Sequence, residues 1–153
     1  MFSEIRKKKE RERKKIKTKY SNLFQYLVIE YYSATLFGTN EIPPVVGPYV
    51  GTIRIVFSPA TKQITAAVST TISNATDANI HFGFTGTNGP IAINVGQTNG
   101  MVNGLPFATT IEDDVIFALR AGYLYFNIYT SEFPNGAIRG QIASSSISLF
   151  IKK

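Results

Sequence analysis

Alternation of apolar and polar residues, cut at short intervals by turn-forming pairs, constrains this chain more than any other feature. Thr52-Ile53-Arg54-Ile55-Val56-Phe57 and Tyr123-Leu124-Tyr125-Phe126-Asn127-Ile128-Tyr129 repeat with a period of two, the period of a strand with two unlike faces. Pro43-Pro44, Gly47-Pro48, Ser58-Pro59, Asn88-Gly89-Pro90, Asn99-Gly100, Asn103-Gly104 and Pro134-Asn135-Gly136 supply the turns between such runs. Strands are expected at 23–37, 50–58, 62–72, 78–84, 90–95, 123–130, 136–142 and 145–151. Short strands at this spacing argue for an all-β, Greek-key β-sandwich and against alternating strand–helix units.

One helix interrupts the pattern, near 111–121. Thr110 is placed to cap it, with Asp113 three residues later and acids at Glu112 to Asp114 suiting its first turn. Val115, Ile116 and Leu119 form its apolar stripe, and Gly122 is placed to end it. Helix-terminus chemistry accounts for the acidic triplet without a metal.

Charge divides the chain in two. Residues 1–20 hold ten of the sixteen Lys and Arg with three acids, a net of +7, leaving six bases and seven acids, or −1, for the rest. The domain reading is therefore a basic arm, helical or disordered, over 1–20, and a nearly neutral β domain over 21–153. The arm carries Glu–Lys pairs four apart but only Ile5 and Ile16 as apolar residues in 4–19, too few to pack on a core. Lys7, Lys8, Lys9, Arg11, Arg13, Lys14 and Lys15 are its candidate contacts to nucleic acid or another anionic surface.

With no cysteine, neither a disulfide framework nor a thiolate metal site is available. No apolar run reaches the roughly 18–20 residues that span a bilayer. The basic stretch followed by Leu23-Phe24-Gln25-Tyr26-Leu27-Val28-Ile29 imitates the start of a signal peptide, but Gln25 interrupts the run and Glu30 ends it.

Three blocks stand in order along the chain. Ser33-Ala34-Thr35-Leu36-Phe37-Gly38-Thr39-Asn40-Glu41-Ile42-Pro43-Pro44-Val45 is the first, followed by Gly51 and an alternating strand. Ala78-Asn79-Ile80-His81, Gly83 and Asn88-Gly89-Pro90-Ile91 make the second. The third runs from Leu119 to Thr130 and closes with Pro134-Asn135-Gly136-Ala137-Ile138-Arg139-Gly140-Gln141-Ile142. In this order the blocks resemble the CHRD (chordin) domain family, and the resemblance implies a sandwich that is immunoglobulin-like or superoxide-dismutase-like in architecture. It also implies placement in secreted or surface proteins, and no established enzymatic activity. Where the family commonly has further histidines, this chain has Asn79 and Tyr129, and His81 is its sole histidine. One imidazole without cysteine is a poor basis for a zinc or copper site, so no cofactor, no metal and no catalytic residue is expected.

His81 is then expected as a hydrogen-bonded strand residue near the sheet surface. Glu41 and Arg139 are expected to form an ion pair or to cap backbone groups, fixing the first block to the closing strand. By alternation Tyr123, Tyr125, Asn127 and Tyr129 share one partly exposed face, opposite a core face of Leu124, Phe126 and Ile128. These aromatics, with Glu41, Asn79, His81 and Arg139, are the candidate ligand or structural contacts. The function expected is a non-enzymatic binding or structural module on a cell, spore or particle surface. It would act through a protein partner or self-association, with 23–32 and 144–151 free to add strands to neighbours. The alternatives are a metal-dependent or redox protein of dismutase-like architecture, and polyanion binding through the arm.

Overall fold

A computed structural model describes residues 2–21, 25–95 and 107–152. The order is α1 (Phe2–Ser21), β1 (Gln25–Phe37), β2 (Val50–Ser58), β3 (Gln63–Thr70), β4 (Ala75–Phe82), β5 (Ile91–Asn94) and β6 (Phe107–Thr110). Then come α2 (Asp113–Ala121), β7 (Leu124–Thr130), β8 (Ile138–Gln141) and β9 (Ala143–Lys152). The chain is predominantly β, as its alternation requires. The turns expected at Asn99-Gly100 and Asn103-Gly104 lie outside the described residues, as do Leu23 and Phe24.

The strands form one curled antiparallel sheet in the order β5-β4-β7-β8-β1-β2-β3-β6, with β9 paired to β1. β1 is the hinge of this order. Its residues Glu30–Phe37 pair with β2, while Phe37 faces Arg139 of β8 and Gln25–Ser33 pair with β9. Alternation drives the packing. Ile53, Ile55 and Phe57 of β2, Ile64, Ala66 and Val68 of β3, and Leu124, Phe126 and Ile128 of β7 join one buried cluster. Their polar neighbours on β2 and β3 stay in solvent.

Helix α2 adds Val115, Ile116, Ala118 and Leu119 to that cluster. Arg120 ties it to β1 by three charge-assisted bonds to Glu30, which also accepts the Tyr32 hydroxyl at 2.6 Å. Gly122 ends the helix in the left-handed region at φ 74°, a conformation that suits a residue without Cβ.

The expected cap at Thr110 is not formed. Thr110 is the last residue of the short strand β6, paired with Gln63, and the cap position is Glu112, whose side chain makes no capping bond. Asp113 instead meets Lys62 at 2.7 Å. Segments 23–32 and 144–151, expected to be free for neighbours, pair with each other within the chain where they are described.

Candidate functional site

The face of β4, β7 and β8 opposite the apolar cluster is a second buried layer, and it is polar. On β7 the burial covers Leu124 through Ile128 without alternation, so Tyr125 and Asn127 are as enclosed as the core residues between them. The register explains who meets whom. Asn79, Asn127 and Arg139 lie in one cross-strand row, and His81, Tyr125 and Gln141 in the next. Directly opposed side chains on adjacent strands are close enough to interact.

Two loops roof this layer. Gly38–Val45 folds back on itself through Glu41 N–H and Val45 N–H, both donating to Gly38 O, and contains the cis peptide Ile42–Pro43. The turn 83–90 is held from below by Arg139. Its guanidinium donates to Asn88 Oδ1 at 2.9 Å, Thr87 O at 2.6 Å and Phe84 O at 3.4 Å. The same guanidinium lies 3.4 Å from the centre of the Tyr125 ring. His81 stacks on Tyr125 at 4.9 Å, nearly parallel. Because β7 runs between β4 and β8, Tyr125 is held between a histidine and an arginine.

The hydrogen bonds assign the histidine's tautomer. Nδ1 is 3.0 Å from Gly89 O, an acceptor only, so Nδ1 carries the proton. Nε2 is then free to accept from the Tyr129 hydroxyl at 2.7 Å. Burial, aided by the positive charge of Arg139, holds the imidazole below its ordinary value, against the Gly89 bond and Asp77. Burial also pushes the Tyr129 hydroxyl up to about 12. A tyrosine made a weaker acid is poorly suited to nucleophilic or general-base work near neutral pH.

Glu41 sits at the other end of the layer, 5% exposed. Burial raises its carboxyl to about 7, against the opposing pull of Arg139 and the Asn127 amide. Asn127 Nδ2 reaches Oε2 only at 3.5 Å, while Glu41 Oε1 and Asn127 Oδ1 have no partner. Clefts of about 330 and 210 Å³ open on either side of Glu41, the first bounded by Asn40, Arg139 and Gln141, the second by Pro43, Phe133 and Pro134.

The candidate residues Glu41, Asn79, His81, Tyr125, Tyr129 and Arg139 therefore belong to one layer. The outcome differs from expectation in three respects. Glu41 and Arg139 do not form an ion pair; Arg139 takes the other expected role and binds carbonyls. His81 is 8% exposed, enclosed instead of lying at a sheet surface. On the shared tyrosine face Tyr125 is enclosed, at 2% exposed, whereas Tyr123 and Tyr129 are partly exposed, as expected. Tyr123 precedes β7 and joins a separate aromatic group with Phe84 and Phe117.

Asn127 and Gln141 were not singled out, although both stand at polar alternate positions. Gln141 Nε2 donates to Gly83 O at 2.9 Å and Gly122 O at 2.8 Å, tying the turn to the helix end. Asn79 Oδ1 accepts from Val95 N–H, and its Nδ2 donates to Asp77. Among the described residues no group of three or more His, Cys, Asp or Glu is placed to hold a metal.

The arm forms a helix, and its described side chains, Glu4 to Ile16, are all exposed. Lys8, Arg11 and Lys15 recur at three- and four-residue spacing along one side of it. Among the described residues no helix is long and apolar enough to cross a membrane.

The family description that matches is the CHRD domain, over residues 32–142. No curated protein and no solved structure matches the chain. Every member of the polar layer falls inside the matched span, whereas β9 and the start of β1 fall outside it.

Proposed function

The chain belongs to the CHRD domain family, and from that premise we propose that it is a non-enzymatic, extracellular-type interaction module that binds an extended strand along β9. The observation that carries this reading is the state of that strand. Among the described residues β9 pairs only with β1, so its far edge offers unpaired N–H and C=O groups over ten residues. Natural edges are usually blunted by charge, proline, bulges or a cover. From Ala143 to Ile151 there is no charge, no proline and no glycine, and the one irregularity in its pairing with β1 is a register shift at Ser145.

An open edge of this kind takes up another strand through main-chain bonds, with alternate side chains setting specificity. A second copy supplies a matching strand, and pairing β9 with β9 about a two-fold axis closes the assembly. The polar layer supports a non-enzymatic role, since its donors are spent on holding loops and its tyrosine–histidine pair is not activated. On the same reading the curled sheet is a Greek-key sandwich of immunoglobulin-like or superoxide-dismutase-like kind.

Light scattering on the full chain over a range of concentrations tests the proposal. Association is expected, insensitive to salt, and lost in Ile147→Lys, which puts a charge at a position already 65% exposed. Equal association of both proteins would argue against the β9 edge.

A further inference from the structure

The Glu41 carboxyl and the Asn127 amide meet beneath a glycine. A Cβ on Gly136 would lie 2.6 Å from Glu41 Oε2, 2.7 Å from Oε1 and 2.6 Å from Asn127 Nδ2. Within this small volume two acceptors, Glu41 Oε1 and Asn127 Oδ1, are buried without a partner. Buried acceptors are normally satisfied, and a buried carboxylate normally has a counter-ion.

The positive charge of Arg139 offsets burial only in part, and among the described residues no charged neighbour bonds the carboxyl. On β8, Arg139 is committed to Asn88, Thr87 and Phe84. On β7, Tyr129 donates to His81. On β4, His81 is the neutral Nδ1–H form, and the Asp77 oxygens accept from Asn79 Nδ2 and Ala78 N–H. Glu132, on the rim of the smaller cleft, adds a like charge. Among the described residues too few carboxylate and imidazole groups converge for a metal ion. A proton relieves the carboxyl by itself. On Oε1 it turns one orphan acceptor into a donor and removes the buried charge.

We infer that Glu41 is a proton-operated latch, whose neutral carboxyl stays buried beside Asn127 and holds the Gly38–Val45 segment down over β7 and β8. Ionisation leaves a buried carboxylate whose Oε1 has no donor, and the segment lifts to hydrate it. The remaining ties to the sheet and the neighbouring turn are few: Asn40 Nδ2 to Arg139 O at 3.0 Å and Asn88 Nδ2 to Ile42 O at 3.2 Å. Ile42, Pro43 and Pro44 already face solvent, so lifting exposes little further apolar surface. Burial acts in the same direction, bringing the carboxyl to about 7, so that the latch responds to mildly acid and mildly alkaline surroundings. Nothing in this device depends on the β9 edge.

The test is a carboxyl-carbon NMR titration of the full chain, with amide hydrogen exchange at pH 5.5 and 8.5. Glu41 is expected to titrate near neutrality. Protection of the Glu41 and Val45 amides, corrected for intrinsic rates, is expected to fall at least tenfold at the higher pH. In Glu41→Gln, which cannot ionise, protection should be the same at both. A Glu41 midpoint in the ordinary carboxylate range, or equal protection in the natural chain, would overturn the latch. The titration decides the matter even where the variant fails to fold.

Discussion

The Tyr129 hydroxyl donates to His81 Nε2 at 2.7 Å, across the β4–β7 pair. With Gly89 O on the other ring nitrogen, both histidine nitrogens are satisfied by the neutral form. Tyr129→Phe removes one partner and leaves Nε2 buried and unpaired, at a cost of about 1–3 kcal/mol. Denaturant unfolding should show it as a lower midpoint with an unchanged slope.

Arg139 binds three oxygens of the 83–90 turn and lies over Tyr125. A lysine keeps the charge but loses the planar fork and the stacking. Arg139→Lys should cost about 1.5–3 kcal/mol and raise hydrogen exchange in that turn, with little change in β2 and β3. Equal loss of protection in all strands would contradict so local a role.

The two buried carboxyls give stability opposite dependences on pH. Glu30 is held below its usual range chiefly by the Arg120 hydrogen bond, with Tyr32 assisting against burial. Its contribution is complete above the unfolded value of about 4.5 and is lost as acid protonates it. Glu41 is raised to about 7, so its contribution is complete below about 4.5 and is lost as pH rises towards 7. Thermal melts should therefore peak in mildly acid solution. Glu41→Gln should flatten the alkaline side only, and Arg120→Ala should weaken the dependence on the acid side.

Gly136 has φ 130° and faces Glu41 and Asn127 at less than 3 Å from where a Cβ would stand. Gly136→Ala combines backbone strain with a clash and should destabilise by about 2–4 kcal/mol. Gly86 also has positive φ, at 80°, but its Cβ would meet nothing within 4 Å. Gly86→Ala should cost only about 1–2 kcal/mol. Calorimetry on the pair separates strain from collision.

The arm should be dispensable for folding. Its described side chains are exposed, so removing residues 1–20 should leave the unfolding midpoint nearly unchanged. If the Lys8–Arg11–Lys15 side contacts a polyanion, binding to heparin or duplex DNA should weaken steeply with salt and vanish in the shortened chain.

Where period-two alternation was strong and turn residues flanked it, sequence and structure agree closely, as at Val50–Ser58. Phe107–Thr110 escaped because four residues without alternation carry no strand signal, and Thr110 was read as a cap. The two faces of β7 were legible, but not that both are buried. That burial comes from loops at 38–45 and 83–90 folding over the second face, which periodicity within one strand does not report. For Arg139 the sequence leaves open an ion pair with Glu41 or the capping of backbone groups, and the choice, like its partners Asn88 and Tyr125, depends on tertiary register. The pairing of β1 with β9 is likewise a long-range choice between two segments that each read as free edges.

The most direct measurement is amide hydrogen exchange across β9 at low and high protein concentration. Residues whose N–H groups point away from β1 should gain protection as concentration rises, alternating with residues already protected by β1. Unchanged exchange along the whole of β9, in a protein that stays monomeric, would contradict the proposed strand-binding edge.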